Sequence, residues 1–150
     1  MGVRIDDLND PRVHALLREH VADMLANSQF DSMHALDLSE LKVPEIAFWT
    51  AWEGEELLGC GALKELGKAH GEIKSMRTAV EHFHKSVGRA ILETIISTAK
   101  NRGYQRRSLE TGSTEVFKPG VAMYEKFGSE YCKPFAQYND DPASALTLAL

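Results

Sequence analysis

The sequence predicts one α/β domain over residues 1–150, and three features carry that reading. Apolar residues recur at helical spacing in two separated stretches, 13–25 and 90–99. Aromatic and aliphatic runs flank Gly54 as the two strands of a hairpin would, and further strand-like runs alternate with helical ones to the end of the chain. Together they order the elements as β α α β β β α β α β β.

Gly2 to Asp6 is a short candidate strand. Asn9 is placed to cap the next helix and Pro11 suits its first turn, with Val13, Leu16, Leu17, Val21, Met24 and Leu25 forming the apolar stripe. A shorter helix is expected around Met33 to Leu41, ending before Pro44 because the residue preceding a proline disfavours helical geometry. The run EIAFWTAWEGEELLGCGALKEL, from Glu45 to Leu66, reads as two antiparallel strands turning at Gly54. Gly71 to Val80 reads as a strand that alternates Ile73, Ser75 and Arg77 against Lys74, Met76 and Thr78. Ala90, Ile91, Leu92, Ile95, Ile96 and Ala99 make a wide apolar stripe that ends at Arg102 and Gly103, where a helix terminus wants a base and a glycine. A strand over Gln105 to Glu110 follows, then a helix from about Glu115 to Phe127 stopped by Gly128. Two short strands are expected near Glu130 to Cys132 and Ser144 to Leu148.

Composition narrows the function classes. With 43% hydrophobic and 26% charged residues the chain is an ordinary globular one, long enough to bury about two thirds of its unfolded surface without disulfide or metal support. Cys60 and Cys132 are far apart in apolar company and read as buried reduced thiols, which with the lack of a leader-like or membrane-length apolar run implies a soluble, cytoplasmic protein. Net charge is −5, poorly suited to a nucleic-acid backbone, although a local basic cluster can still take a small anion. His82 and His84 alternate like a metal pair, yet no carboxylate or thiol completes a ligand set, so no metal is expected.

The segment EHFHKSVGRAIL places small and cationic residues between a strand and the strongest helix. Such a junction offers free backbone N–H groups and the positive end of the helix dipole, an arrangement that binds phosphate. Lys85 and Arg89 add charge, and Gly88 permits close backbone approach. Taken alone, the loop is equally well read as an ordinary strand-to-helix turn with solvated basic residues.

The surrounding segments resemble the GNAT superfamily of acyl-coenzyme A N-acyltransferases over nearly the whole chain. HFHKSVGRAIL is similar to that superfamily's Arg/Gln-x-x-Gly-x-Gly/Ala motif and to the HxRKGVGRAIL of a bacterial subgroup. RRSLETGS, FKP, YEKFG, YCKPFAQY and DPAS match the same subgroup in order. Phe83, His84 and Ser86 depart from the motif: Phe83 stands at its leading Arg/Gln, His84 at an arginine and Ser86 at the first glycine. A histidine is a weaker, pH-dependent phosphate donor, and Ser86 carries a Cβ where left-handed backbone is expected. Its hydroxyl can still donate to a phosphate.

The resemblance implies a mixed, mostly antiparallel twisted sheet with helices on both faces. It also implies transfer of an acetyl group from acetyl-coenzyme A to a primary amine by direct attack. His84, Lys85, Ser86, Val87, Gly88 and Arg89 would cradle the pyrophosphate. Met76, Arg77, Thr78 and Ala79 would line the pantetheine arm through their backbone. Tyr124 would touch the coenzyme and protonate its departing thiolate, the bland alternative being an aromatic residue packed on a helix with its hydroxyl in solvent. Glu110 is preferred over Glu72 as the base that deprotonates the amine, since LETGS lies where two strands are expected to part; either carboxylate could instead pair with Arg77 or Arg107. The acceptor stays open among small amines, amino-acid derivatives and protein amines. Phe48, Trp49 and Trp52 read as core or as a homodimer surface, His34 as a surface histidine, and the PFAQYNDDPAS run as acceptor rim or closing loop. A coenzyme A-binding regulatory module without turnover is the competing class.

Overall fold

A computed structural model describes residues 1–27, 41–82, 86–111, 122–124, 126, 130–131 and 146–149. The strands are β1 (Gly2–Ile5), β2 (Ile46–Glu53), β3 (Glu56–Gly67), β4 (His70–Thr78), β5 (Arg106–Thr111), β6 (Glu130–Tyr131) and β7 (Leu146–Ala149). Two helices are described end to end, α1 (Pro11–Asn27) and α2 (Val87–Asn101), and a 3-10 turn, Val80–His82, follows β4. The seven strands form one sheet in the order β1-β2-β3-β4-β5-β7-β6, antiparallel except for the β4–β5 pair. The mixed, mostly antiparallel sheet expected from the sequence is therefore present.

Local chemistry explains most element ends. Asp10, rather than Asn9, caps α1: its Oδ1 accepts from the Arg12 N–H at 2.8 Å, while the Arg12 guanidinium bonds the same carboxylate and holds it at a pKa of about 2. Asn9 turns instead to Lys42, whose Nζ donates to its Oδ1. The β2–β3 hairpin turns through Gly54 and Glu55, with Gly54 at φ 62°, the left-handed value that tight hairpin turns require. α2 closes in a Schellman motif: Tyr104 N–H donates to Ala99 C=O and Gly103 N–H to Lys100 C=O, with Gly103 at φ 80°.

Strand alternation sorts the core into two layers. Trp49, Ala51, Leu63 and Ile73 pack with Val87, Ile91, Leu92 and Ile95 of α2 on one face. Phe48, Trp52, Cys60 and Ala62 pack with Val13, Leu16 and Leu17 of α1 on the other. The aromatic strand is core: Phe48, Trp49 and Trp52 are all buried within this chain, so none of them offers a dimer surface. Arg4 and Arg12 stack over the Trp52 ring at 4.7 and 4.5 Å. Close approach of α2 to β3 depends on Gly59 and Gly61, where a Cβ would meet Val87 at 2.9 Å and Ile91 at 2.7 Å.

The alternation expected along β4 does not survive the middle of the strand. The β3–β4 register shifts between Cys60 and Ala62, so that Gly61 faces both Ser75 and Met76, and Ser75 sits at φ 54°. Because of this bulge Ile73 and Met76 lie on the α2 face together, while Arg77 reaches Glu19 of α1 on the opposite face. The helix expected around Met33 to Leu41 lies outside the described residues except for Leu41, which is buried. Of the helix expected from Glu115 to Phe127, residues 122–124 and 126 are helical.

Candidate functional site

The β4–β5 ladder runs only from His70↔Arg106 to Ile73↔Leu109. Beyond it β4 continues to Thr78 against β3, while Glu110 and Thr111 of β5 pair with β7. The two strands thus part after four bridges and leave a notch in the sheet. Lys74 and Glu110 hold the first register positions past the last bridge, so the strand-parting position expected for Glu110 is where the backbone places it.

Past the bulge, the edge of β4 turned from β3 has no pairing strand among the described residues. Ala79 N–H donates to Leu58 C=O, and the Arg77 carbonyl lies so close to β3 that a Cβ on Gly59 would stand 2.6 Å from it. Strand pleating then turns the backbone N–H and C=O of Met76 and Thr78 the other way, away from β3. These two amide donors and two acceptors meet no strand among the described residues. The Arg77 carbonyl faces β3, and its guanidinium bonds Glu19 of α1.

At the end of this edge stands the first turn of α2. Ser86 is the N-terminal flanking residue, at φ 61° and ψ 24° with no side-chain cap, so the left-handed backbone anticipated for this position is observed on a residue with a Cβ. The first intrahelical bond is Ala90 N–H to Ser86 C=O, which leaves the N–H groups of Val87, Gly88 and Arg89 ahead of the ladder. Val87 is buried against β3, whereas Arg89 is exposed and paired with Glu93 at 3.0 Å, an i,i+4 contact worth only about 0.3–0.5 kcal/mol and readily exchanged for a phosphate. Gly88 approaches both Thr78 and Met123: a Cβ there would lie 3.7 Å from Thr78 Oγ1 and 3.3 Å from Met123 Sδ. His84 and Lys85 lie outside the described residues.

Tyr124, next to Met123, is buried in the α2-side core. Removal from water pushes its phenol well above the ordinary tyrosine value. The solvent-facing hydroxyl offered as its bland alternative is not what the structure contains. Glu72 is buried and its Oε1 accepts from Lys74 Nζ at 3.2 Å, so its ion-pair partner is Lys74 rather than Arg77 or Arg107. Arg107 donates to the Tyr104 carbonyl. The sequence reading missed this pair because Glu72 and Lys74 look like any two solvent-facing charges on a strand; their i,i+2 spacing was the available signal. His82, read there only as half of a discarded metal pair with His84, has a buried ring that meets Glu56 Oε1 at 3.0 Å. Among the described residues no cluster of three or more His, Cys, Asp or Glu is arranged to hold a metal, and no helix is long and apolar enough to cross a membrane.

The chain is similar to known proteins in both sequence and fold. The sequence model of the acetyltransferase (GNAT) family matches residues 13–129. The chain is 54% identical over 144 residues to the uncharacterized N-acetyltransferase YsnE of Bacillus subtilis, covering 96% of this chain and 95% of that one. It is 45% identical over 142 residues to the uncharacterized N-acetyltransferase YedL of Escherichia coli, covering 95% and 89%. Its fold is also that of an aminoglycoside 6'-N-acetyltransferase solved with coenzyme A, at a TM-score of 0.72 and 18% identity over 100% of this chain and 96% of that one. The chain accordingly belongs to the GNAT acetyltransferase family and is an acyl-coenzyme A-dependent N-acyltransferase.

Proposed function

We propose that the enzyme transfers an acetyl group from acetyl-coenzyme A to a primary amine in the notch between β4 and β5. The observation that carries this reading is an edge of β4 with no pairing strand among the described residues, on the same side of the fold as Gly88 in the N-terminal turn of α2, which approaches Thr78. Amides of a pantetheine arm match the backbone groups of Met76 and Thr78. A diphosphate matches the N–H groups of Val87, Gly88 and Arg89, the Ser86 hydroxyl and the cations Lys85, Arg89 and His84. The coenzyme supplies the activated thioester, and this chain supplies position and proton management.

Tyr124 acts as the proton donor to the departing sulfur. Burial holds its phenol in the protonated form, which is the form that can donate to the departing sulfur. Glu110 accepts the proton of the attacking amine, directly or through water, from its place just past the last β4–β5 bridge. Glu72 is assigned a structural part, as the partner of Lys74. A free buried Cys60 fits a reducing, cytoplasmic setting.

The test is release of free thiol from acetyl-coenzyme A over a panel of small amines, amino-acid derivatives and peptide amines. Turnover with at least one acceptor class is expected, and loss of it in Glu110→Gln. Tight coenzyme binding without thiol release for any acceptor would replace this reading by a binding module.

A further inference from the structure

A register shift decides which charges β4 shows to α1. Lys74 pairs with Ala62 and Arg77 with Cys60, both of which lie in the α1-side core, and the bulge at Ser75 separates the two pairs. Without it the period of two would put Met76 on the α1 face and turn Arg77 towards α2. The α1 face of β4 therefore carries Glu72, Lys74 and Arg77 in a row.

The row is held by two ion pairs of unlike exposure. Glu72 pairs with Lys74, and the Arg77 guanidinium crosses to Glu19 of α1. The side chains of Glu72, Lys74 and Arg77 are 1%, 6% and 11% exposed, whereas that of Glu19 is 43% exposed. One buried carboxylate thus stands with two buried cations on this strand, and the countercharge that Glu19 brings to Arg77 can return to water at small cost. A ligand carboxylate in its place keeps the guanidinium compensated, and the planar fork of arginine can grip it with two parallel hydrogen bonds.

The position of Arg77 gives that exchange a use. It stands between Met76 and Thr78, whose backbone groups are assigned above to the pantetheine arm. On the α2 side this part of the fold is packed with Met76, Val87, Met123 and Tyr124. An amine attacking a thioester held along β4 therefore comes from the α1 side, where it meets Arg77.

We propose that Arg77 selects the acceptor by binding a carboxylate carried on the same molecule as the attacking amine, with Glu19 holding that place until the acceptor arrives. The acceptor class is then an amino acid or a related amino-carboxylate rather than a simple alkylamine. The inference deepens the proposed function and rests on its placement of acetyl-coenzyme A along β4.

The experiment follows thiol release from acetyl-coenzyme A by the full chain, with a set of amino acids, their carboxamides and the phosphate ester phosphoethanolamine as acceptors. Wild type is expected to prefer the acids over their amides at least about tenfold in kcat/KM, the worth of one charge-assisted contact. Arg77→Gln should bring that ratio close to one, and Arg77→Lys should restore part of it; a merely structural Arg77 would lower both acceptors alike and leave the ratio where it was. Glu19→Gln removes the internal competitor and is expected to lower KM for the acids about threefold without lowering it for the amides. Should Arg77→Gln fail to fold, the Glu19→Gln split decides alone. Equal use of acids and amides by wild type, a ratio that survives Arg77→Gln, or a preference confined to the phosphate ester overturns the inference while the proposed function stands. No thiol release with any acceptor removes the function reading and this inference together.

Discussion

Gly88 and Met123 are in contact across the first turn of α2, where a Cβ at position 88 would stand 3.3 Å from the methionine sulfur and 3.7 Å from Thr78 Oγ1. Methionine is flexible and can yield a few tenths of an ångström, so Gly88→Ala is expected to keep or slightly raise stability through its better helix propensity, by up to about 1 kcal/mol. Gly88→Val adds two methyl groups to the same space and is expected to lower acetyl-coenzyme A affinity at least tenfold. Melting temperatures and calorimetric titration of both variants check this. Wild-type affinity in Gly88→Val would mean that the coenzyme does not approach this turn.

Ser86 occupies the left-handed region, at φ 61°, without a side-chain cap to compensate. That conformation costs a residue with a Cβ about 1–2 kcal/mol, partly offset by the greater unfolded-state entropy of glycine. Ser86→Gly is therefore expected to stabilise the protein by about 0.5–1 kcal/mol in urea denaturation. A destabilised variant would show that the serine hydroxyl contributes more than the strain removes.

For Tyr124→Phe the expectation is a kcat lower by about 10²-fold, with acetyl-coenzyme A affinity changed by less than about threefold. Steady-state kinetics beside equilibrium titration separates the two effects. Unchanged turnover with chemistry rate-limiting would return Tyr124 to a packing role.

The buried Glu72–Lys74 pair predicts an asymmetry between single and double replacement. Glu72→Gln removes the carboxylate that faces a buried ammonium and is expected to cost about 3 kcal/mol, whereas Glu72→Met combined with Lys74→Met should recover most of the loss. A double-mutant cycle in denaturant measures the coupling. Activity retained in the stable double variant would confirm Glu72 as structural, and its loss there would move the base from Glu110 to Glu72.

Burial pushes the Cys60 thiol from 9.0 to about 12. Because the folded-state value is the higher one, the folded chain holds this proton more tightly than the unfolded chain. Its contribution is complete below about pH 9 and is lost as pH rises towards about 12, at no more than about 1.4 kcal/mol per pH unit. Tyr124 shifts in the same direction from its ordinary value of 10.0. Urea stability measured across this alkaline range should fall, and fall less steeply in Cys60→Ala. Native Cys60 should also resist alkylation at pH 8 until the chain unfolds.

Much of the architecture was legible because it is written locally. The stripe from Ala90 to Ala99 and the stop at Gly103 specify α2, and the apolar runs on either side of Gly54 specify the hairpin. The N–H groups ahead of the α2 ladder were legible too, since the first turn of any helix leaves them without intrahelical partners. The cap at Asp10 was misplaced by one residue because Asn9 and Asp10 are both good caps, and only the Arg12 contacts distinguish them.

Other features depend on strands that are remote in sequence. Where β4 and β5 part is decided by the competing claim of β7 on Glu110 and Thr111, 35 or more residues away. The bulge at Ser75 arises from a register conflict with β3, and it moves Met76 to the face that the plain period of two assigns to its neighbours. Arg77 finds Glu19 and His82 finds Glu56 only once segments remote in sequence are packed together, and it is burial that makes the i,i+2 neighbours Glu72 and Lys74 an ion pair rather than two solvated charges. The sequence by itself thus determined the elements, the family resemblance and the helix-opening turn before α2, all written in short-range sequence patterns. Only the tertiary structure decided the notch, the direction of each residue along β4 and the pairing of the buried charges, since these are fixed by contacts between segments that meet on folding.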